Sequence, residues 1–435
     1  MKTYKKLFFD LKSFFLLWST QSLSTLGSAM TNFALVVWSY QAKGSALTTA
    51  LLSVCSYAPY VVMSIFAGAC SDRWHKKTIM LASDTFAAFC TFMVLILLQS
   101  NRLEIWHLYI LNALNGLMNT FQQPASDVAV SLLVPEKYYQ KVSGMRTFSN
   151  SLNTVLTPVA ATAILMFTNI QTVIVIDLIT FAAAFCTLLF GIKIPQIHAN
   201  DEQREGILQA SKAGLQYLKK HRGILDLILF LAAINLTASM YNAALPALLL
   251  SLHAGGGNAY GLVNTVSGIA MLIGSIFVTL YPTPKSRVRV ICNTLLLSMS
   301  TENFFLAFGK NLPIWCTGAV LGWISIPVMN ANMDALFRSY IPLPIQGRVY
   351  AARNTLQFFT IPLGYILGGF CIDKMFEPLM AQQTFGSILT TLFGTGKGSG
   401  AAFFLFLLGI LGVITCLIFR HDANIWELEN KTKPL

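Results

Sequence analysis

Long apolar stretches recur along this chain from near residue 12 to near residue 420, separated by short polar connections. A segment of roughly 20 apolar residues is long enough to cross a hydrocarbon core of about 30 Å. In lipid a crossing backbone must satisfy its own hydrogen bonds, which leaves helices or closed barrels. Each stretch is long enough for a spanning helix, so the expected class is an all-α polytopic membrane protein. Composition agrees: 55% of residues are hydrophobic and 11% charged, against about a quarter charged in soluble domains. Mean hydropathy is +0.61. Twelve candidate spans cover 12–39, 46–69, 77–99, 105–134, 138–168, 170–192, 223–252, 257–281, 287–308, 312–340, 345–373 and 400–420. Prolines 59, 124, 158, 246, 327 and 362 lie inside them and are tolerated where neighbouring helices satisfy the freed carbonyls.

The basic residues set an orientation. With the N-terminus in the cytoplasm, all of the 30 lysines and arginines except Lys43, Arg102, Lys310, Lys374 and Lys397 fall on the inner side, through every loop. This is the positive-inside pattern, so the net charge of +12 reads as a topology signal and not as a nucleic-acid footprint. The basic N-terminus is followed by no small-residue cleavage site, which predicts an uncleaved first helix and both termini in the cytoplasm. Cysteines 55, 70, 90, 186, 292, 316, 371 and 416 are scattered without paired spacing or neighbouring histidines. They read as small buried hydrophobes, with no metal or disulfide framework.

One long interior connection, 193–222, divides the spans six and six. The expected domains are an N-terminal bundle over 1–192, a cytoplasmic linker over 193–222, and a C-terminal bundle over 223–435. Apolar residues beside lysines in the linker predict an amphipathic helix at the membrane surface. The connection 374–399, with Gly394, Gly396, Gly398 and Gly400, is expected to be a mobile loop. At one fixed offset Asp127 aligns with Asp334, Pro135 with Pro342, Val142 with Val349 and Arg146 with Arg353. Both copies fall on the fourth-to-fifth span connection of their half, as parallel repeats would place them.

The loop Gly68-Ala69-Cys70-Ser71-Asp72-Arg73-Trp74-His75-Lys76-Lys77 packs a charge cluster between two spans. It resembles the loop between helices two and three of the major facilitator superfamily, with His75 where that pattern has its second glycine. The segments TQSLSTLGSAMTNFALVVWSY, FQQPASDVAVSLLVP and AGLQYLKKHRG, together with Asp177, are similar to the macrolide and multidrug efflux branch, and to enterobactin exporters. The resemblance implies a two-bundle transporter working by alternating access. Two departures stand out: Asn112 occupies the place of the helix-four arginine before Gly116, and Thr157-Pro158 replaces a Gly-Pro pair. Both speak against the arginine-centred scheme of proton antiport.

Ionisable groups inside spans suggest function. Gly68, Asp72, Arg73, Lys77, Asp127, Arg146, Asp334 and Arg353 are read as gating residues, either a latch between helix ends or static pairs. Asp72, Arg73, Asp127, Arg146 and Arg353 form one expected cluster, and Asp334 with Arg287, Arg289 and Arg348 its counterpart. Glu302 and Asp84 are candidate proton sites, a packing role being the alternative for each.

Gln21, Asn32, Asn115, Asn119, Asn153, Asn235, Tyr241, Asn242, Asn330, Asn354 and Gln357 fall on spans that line the cavity in the resembled family. Each is a candidate substrate contact, with interhelical hydrogen bonding as the alternative. An apolar cavity with a few amides suits a bulky amphipathic compound better than a small anion, which would need an arginine clamp. No phosphate-cradling loop, metal ligand set or nucleophile elbow is present, so neither enzymatic activity nor ATP drive is expected. The expected function is secondary active efflux of a drug- or macrolide-like molecule, driven by a proton or sodium gradient. The expected form is a monomer in the cytoplasmic membrane, without cofactor or nucleic acid. A siderophore or lipid exporter, or a non-transporting receptor of the same fold, is the alternative.

Overall fold

The computed structural model describes residues 11–135, 138–195, 215–251, 256–280, 284–341 and 343–431, and every regular element among them is helical. The helices are α1 (Lys12–Lys43), α2 (Ala46–Arg73), α3 (Lys76–Gln99), α4 (Ile105–Leu133), α5 (Tyr139–Phe167) and α6 (Ile170–Cys186), the last extended by a wider π turn over Thr187–Gly191. Then come α7 (Arg222–Ser251), α8 (Gly257–Leu280), α9 (Arg287–Phe308), α10 (Leu312–Trp323), α11 (Ile326–Tyr340), α12 (Leu343–Phe358) and α13 (Thr360–Cys371). The short α14 (Glu377–Ala381) and α15 (Ile388–Phe393) precede α16 (Ser399–Arg420) and α17 (Ala423–Lys431).

Two expected spans are each broken once, and proline chemistry locates both breaks. Pro327 has no N–H for the carbonyl of Trp323, and α10 ends at Trp323. Pro362 likewise leaves the carbonyl of Phe358 without a donor, and α12 ends at Phe358. Pro59, Pro158 and Pro246 sit inside unbroken helices.

Among the described residues, ten helices are long and apolar enough to cross a membrane. Helices α1 and α4 are not among those ten, although both are long. Amides and hydroxyls, including Gln21, Ser22, Asn119, Gln122 and Gln123, lower their hydropathy.

The chain forms two compact units, one of Met1–Trp38 with Cys55–Arg204 and one of Ser39–Val54 with Glu205–Leu435. In the first, α4 and α6 pack on α3 around Leu17, Ile79, Met80, Ala125, Ala129, Leu188 and Ile192. Gly116 brings α4 against α2 so closely that an added methyl would overlap the carbonyl oxygen of Ser56. Such small-residue crossings are how helices associate where lipid is as apolar as the side chains.

In the second unit α7 is the central element, packed by α13, α16 and α17. Three carboxylates cap helix N-termini here, satisfying orphan amides and the positive end of the dipole. Asp373 accepts from Ser45 Oγ at 2.5 Å, Ala46 N at 3.0 Å and Leu47 N at 2.9 Å, which holds the start of α2 in this unit. Glu377 Oε1 accepts from Gly398 N at 2.9 Å and Ala401 N at 3.3 Å, capping α16. Glu429 Oε1 on α17 accepts from Val288 N at 2.7 Å and Ser286 Oγ at 2.8 Å, capping α9.

The connection 374–399, expected as a mobile loop, carries α14 and α15. Phe393 in it is buried and stacks on Phe308 with ring centroids 5.6 Å apart. Gly394, Gly396 and Gly398 take φ of 84°, 83° and 98°, left-handed conformations that glycine adopts without strain. The linker helix lies outside the described residues over 196–214, while residues 215–220 are helical and Leu218 is fully buried in the second unit.

Candidate functional site

A cavity of about 450 Å³ lies within the first unit. That is inside the range of roughly 300–1,000 Å³ typical of small-molecule sites. Three helices line it, each with a stripe at helical spacing: Trp18, Gln21, Ser22 and Thr25 from α1; Asn119, Gln122, Gln123 and Ser126 from α4; Arg146, Ser149, Asn150 and Asn153 from α5. Residues at i, i+3, i+4 and i+7 share one helix face, so each helix turns a single polar stripe inward. Phe14, Leu17 and Val130 complete the wall with Trp18. Among the described residues, six amides and four hydroxyls thus surround the space beside one guanidinium, a more polar lining than the apolar cavity expected from the sequence.

Direct bonds tie α5 to α1 at this wall. Ser22 Oγ donates to Ser149 Oγ at 3.1 Å, Asn153 Nδ2 to the Ser22 carbonyl at 3.4 Å, and Trp18 Nε1 to the Met145 carbonyl at 3.3 Å. Behind the wall stands Asp84 of α3, 8% exposed. Gln21 Nε2 donates to its Oδ2 at 3.0 Å, and Gln122 Nε2 donates to its Oδ1. At the edge, Arg146 Nη2 meets Asp127 Oδ1 at 2.5 Å, with both side chains partly exposed.

Of the expected substrate contacts, Gln21, Asn119 and Asn153 are brought together at this cavity, with Arg146 from the gating set. Asn32 and Asn115 line a separate small space of about 30 Å³ in the same unit, together with Asp177. There Asp177 Oδ1 accepts from Ser28 Oγ at 2.9 Å.

The remaining candidates lie in the second unit. Asn235 Nδ2 donates to the Gln357 carbonyl at 3.3 Å, and buried Gln357 accepts from Arg353 Nε at 3.0 Å. Tyr241 is buried, and its hydroxyl donates to Glu302 Oε1 at 2.5 Å. Asn330 and Asn354 are exposed and Asn242 is half-buried.

Arg353 pairs with Asp334 at 3.8 Å and lies over the Phe337 ring, 4.6 Å from its centroid. Glu302, 5% exposed, also accepts from Trp323 Nε1 at 2.6 Å, and its Oε2 packs against Gly322. Lys77 donates to the carbonyls of Leu189 at 2.9 Å and Ile192 at 2.8 Å, closing the end of α6. The side chains of Gly68, Asp72, Arg73 and Arg348 lie outside the described residues.

Gln122, Gln123, Ser22, Thr25, Ser126 and Ser149 were missing from the expected contacts. Their signal was in the sequence as polar residues at i, i+3, i+4 and i+7 inside otherwise apolar helices.

The chain is 22% identical to the macrolide efflux protein A of Streptococcus pyogenes over 366 residues, 83% of this chain and 90% of that protein. It is 22% identical to the multidrug efflux pump Tap of Mycolicibacterium fortuitum over 342 residues, 76% and 81% of the two chains. A mutant of the nucleoside transporter NupG superposes with a TM-score of 0.69 at 12% identity, covering 93% of this chain and 99% of that one. Residues 17–283, more than half of the chain, match the family profile described as Major Facilitator Superfamily. The chain therefore belongs to the major facilitator superfamily, a family of membrane transporters.

Proposed function

We propose that this protein exports a bulky amphipathic small molecule, macrolide-like in polarity, by alternating access and in exchange for protons. The observation that carries the reading is the amide- and hydroxyl-lined cavity of about 450 Å³ with an indole and a phenyl ring in its wall. Such a lining offers hydrogen bonds to a ligand rich in hydroxyls, ethers and carbonyls, while the rings take its apolar face. Similarity to proteins named as macrolide and multidrug efflux proteins supports the direction of transport.

In this reading two six-helix halves, joined by the 193–222 connection, alternate around the substrate, with both termini in the cytoplasm. The monomer in the cytoplasmic membrane is the working unit. The test is accumulation of radiolabelled erythromycin in cells with and without the protein. Expression should lower accumulation, and a protonophore applied with ATP held constant should abolish the difference. Accumulation that is unchanged by expression would overturn the proposal.

A further inference from the structure

Asp84 does not line the cavity, yet both of its carboxylate oxygens are held by side chains that do. Gln21 of α1 and Gln122 of α4 each donate an amide N–H to it. An ionised carboxylate only accepts hydrogen bonds. While Asp84 is charged, both amides are locked with Nε2 turned to the carboxylate and both Oε1 atoms left for the cavity. Neither Oε1 accepts a hydrogen bond from a described residue.

Among the described residues no counterion faces Asp84. On α3 itself, Lys76 and Lys77 stand at the helix start, the latter bound to backbone carbonyls, and Cys90 lines the smaller space. Helix α6 brings Asp177, held by Ser28, and Cys186. Helix α4 brings His107 and Asp127; Asp127 is paired with Arg146 of α5. Helix α1 carries Lys12 and Lys43 at its two ends. None of these forms an ion pair with Asp84. Among the described residues Arg146 and Asp127 offset each other, so ionising Asp84 adds one negative charge that none of them balances.

We propose that Asp84 is a proton site that sets the hydrogen-bond polarity of the cavity through Gln21 and Gln122: ionised, it favours an amphipathic compound bearing a protonated amine; protonated, it favours release. This rests on the cavity being the substrate site. Protonation forms an O–H bond on one carboxyl oxygen, the proton coming from water at the open side of the cavity and returning to water later. The new O–H must donate, so one glutamine turns its amide to offer Oε1 and swings its NH₂ toward the cavity. A site of two acceptors backed by a negative charge becomes neutral, with one donor and one acceptor. One proton then replaces one cationic substrate without change of charge at the site.

The experiment is pH-difference infrared spectroscopy on the full-length protein in lipid nanodiscs, with isotope-labelled glutamine and no ligand. A carboxylic-acid band should grow on acidification together with a shift of glutamine amide bands, and both should vanish in Asp84→Asn. The amide shift alone should vanish in Gln21→Leu/Gln122→Leu. A carboxyl band that titrates without any glutamine shift would overturn the proposal, and so would a spectrum indistinguishable from that of Asp84→Asn. A binding arm uses erythromycin and the same macrolide after N-demethylation and acetylation of the resulting secondary amine, which turns the basic nitrogen into a neutral amide. Erythromycin should bind about ten-fold more weakly once Asp84 is protonated or replaced, one charge-assisted hydrogen bond being lost. The acylated probe should bind no more weakly. A parallel loss for both probes would overturn the polarity switch. Failure of both to bind any form, with the infrared coupling intact, would uphold the switch and sink the macrolide reading of the cavity.

Discussion

Arg146 on α5 meets Asp127 on α4 at 2.5 Å, and the repeat-related Arg353 on α12 meets Asp334 on α11 at 3.8 Å. Each pair joins the two helices on either side of the same connection in its own unit. Arg146 also lines the cavity, so its carboxylate partner orients a guanidinium that a substrate would meet.

Because Arg146 and Asp127 are 36% and 49% exposed, their attraction adds less than about 1 kcal/mol to stability. Asp127→Asn should leave the thermal midpoint almost unchanged but lower export, and Asp127→Arg combined with Arg146→Asp should restore part of it. Differential scanning fluorimetry beside an efflux assay checks both halves. A large drop in midpoint would mean that the pair is structural.

Two glycines mark helix crossings with no room for a methyl group. A Cβ at Gly116 would overlap the Ser56 carbonyl oxygen, and one at Gly322 would overlap Glu302 Oε2. Overpacking typically costs about 1–3 kcal/mol. Gly116→Ala and Gly322→Ala should therefore lower the thermal midpoint, whereas Gly257→Ala, with no atom of a described residue within 4 Å, should not.

Asp373 accepts three hydrogen bonds at the start of α2, and bonds to a charged acceptor contribute about 1.5–3 kcal/mol each. Asp373→Asn keeps the shape but loses the charge. Amide exchange at residues 46–50 should speed up by ten-fold or more relative to the parent. Exchange confined to parent rates would show that Ser45, which accepts from Thr48 N at 3.0 Å, is a sufficient cap.

Glu302 and Asp84, both read as candidate proton sites, should part company. Glu302 is clamped by Tyr241 and Trp323 on a single oxygen, and a glutamine carbonyl could accept both donors. Glu302→Gln is expected to keep pH-driven export and to lower stability modestly through the unpaired amide beside Gly322. Asp84→Asn is expected to lose pH-driven export while remaining folded. Equal transport defects in both variants would count against the assignment.

Much of the helical layout was legible because hydropathy acts over twenty residues and proline acts at fixed offset. Hence α9 falls on its expected limits and the breaks follow Pro327 and Pro362. The cavity was less legible. A single asparagine in an apolar helix carries little information, whereas the shared polar stripe on α1, α4 and α5 is the informative pattern. Helix α17 was not expected after the last apolar run. Nine residues carry too little hydropathy signal, yet Ile425 and Leu428 are buried against α7 and Asn424 Nδ2 donates to Asp226 Oδ2 at 2.9 Å. The grouping of Ser39–Val54 with the second unit depends on Asp373 and on Tyr40, whose hydroxyl donates to the Ala247 carbonyl at 3.2 Å. Those partners lie hundreds of residues away in sequence.

The most direct measurement is uptake of radiolabelled erythromycin into proteoliposomes containing only the purified protein, driven by an imposed pH gradient with the interior acidic and no nucleotide present. Asn150 lines the cavity and is exposed to it, so Asn150→Trp fills the space without disturbing a buried contact. The account predicts gradient-dependent uptake by the parent and its loss in Asn150→Trp at unchanged thermal stability. Equal uptake by parent and variant, or uptake indifferent to the gradient, would contradict it.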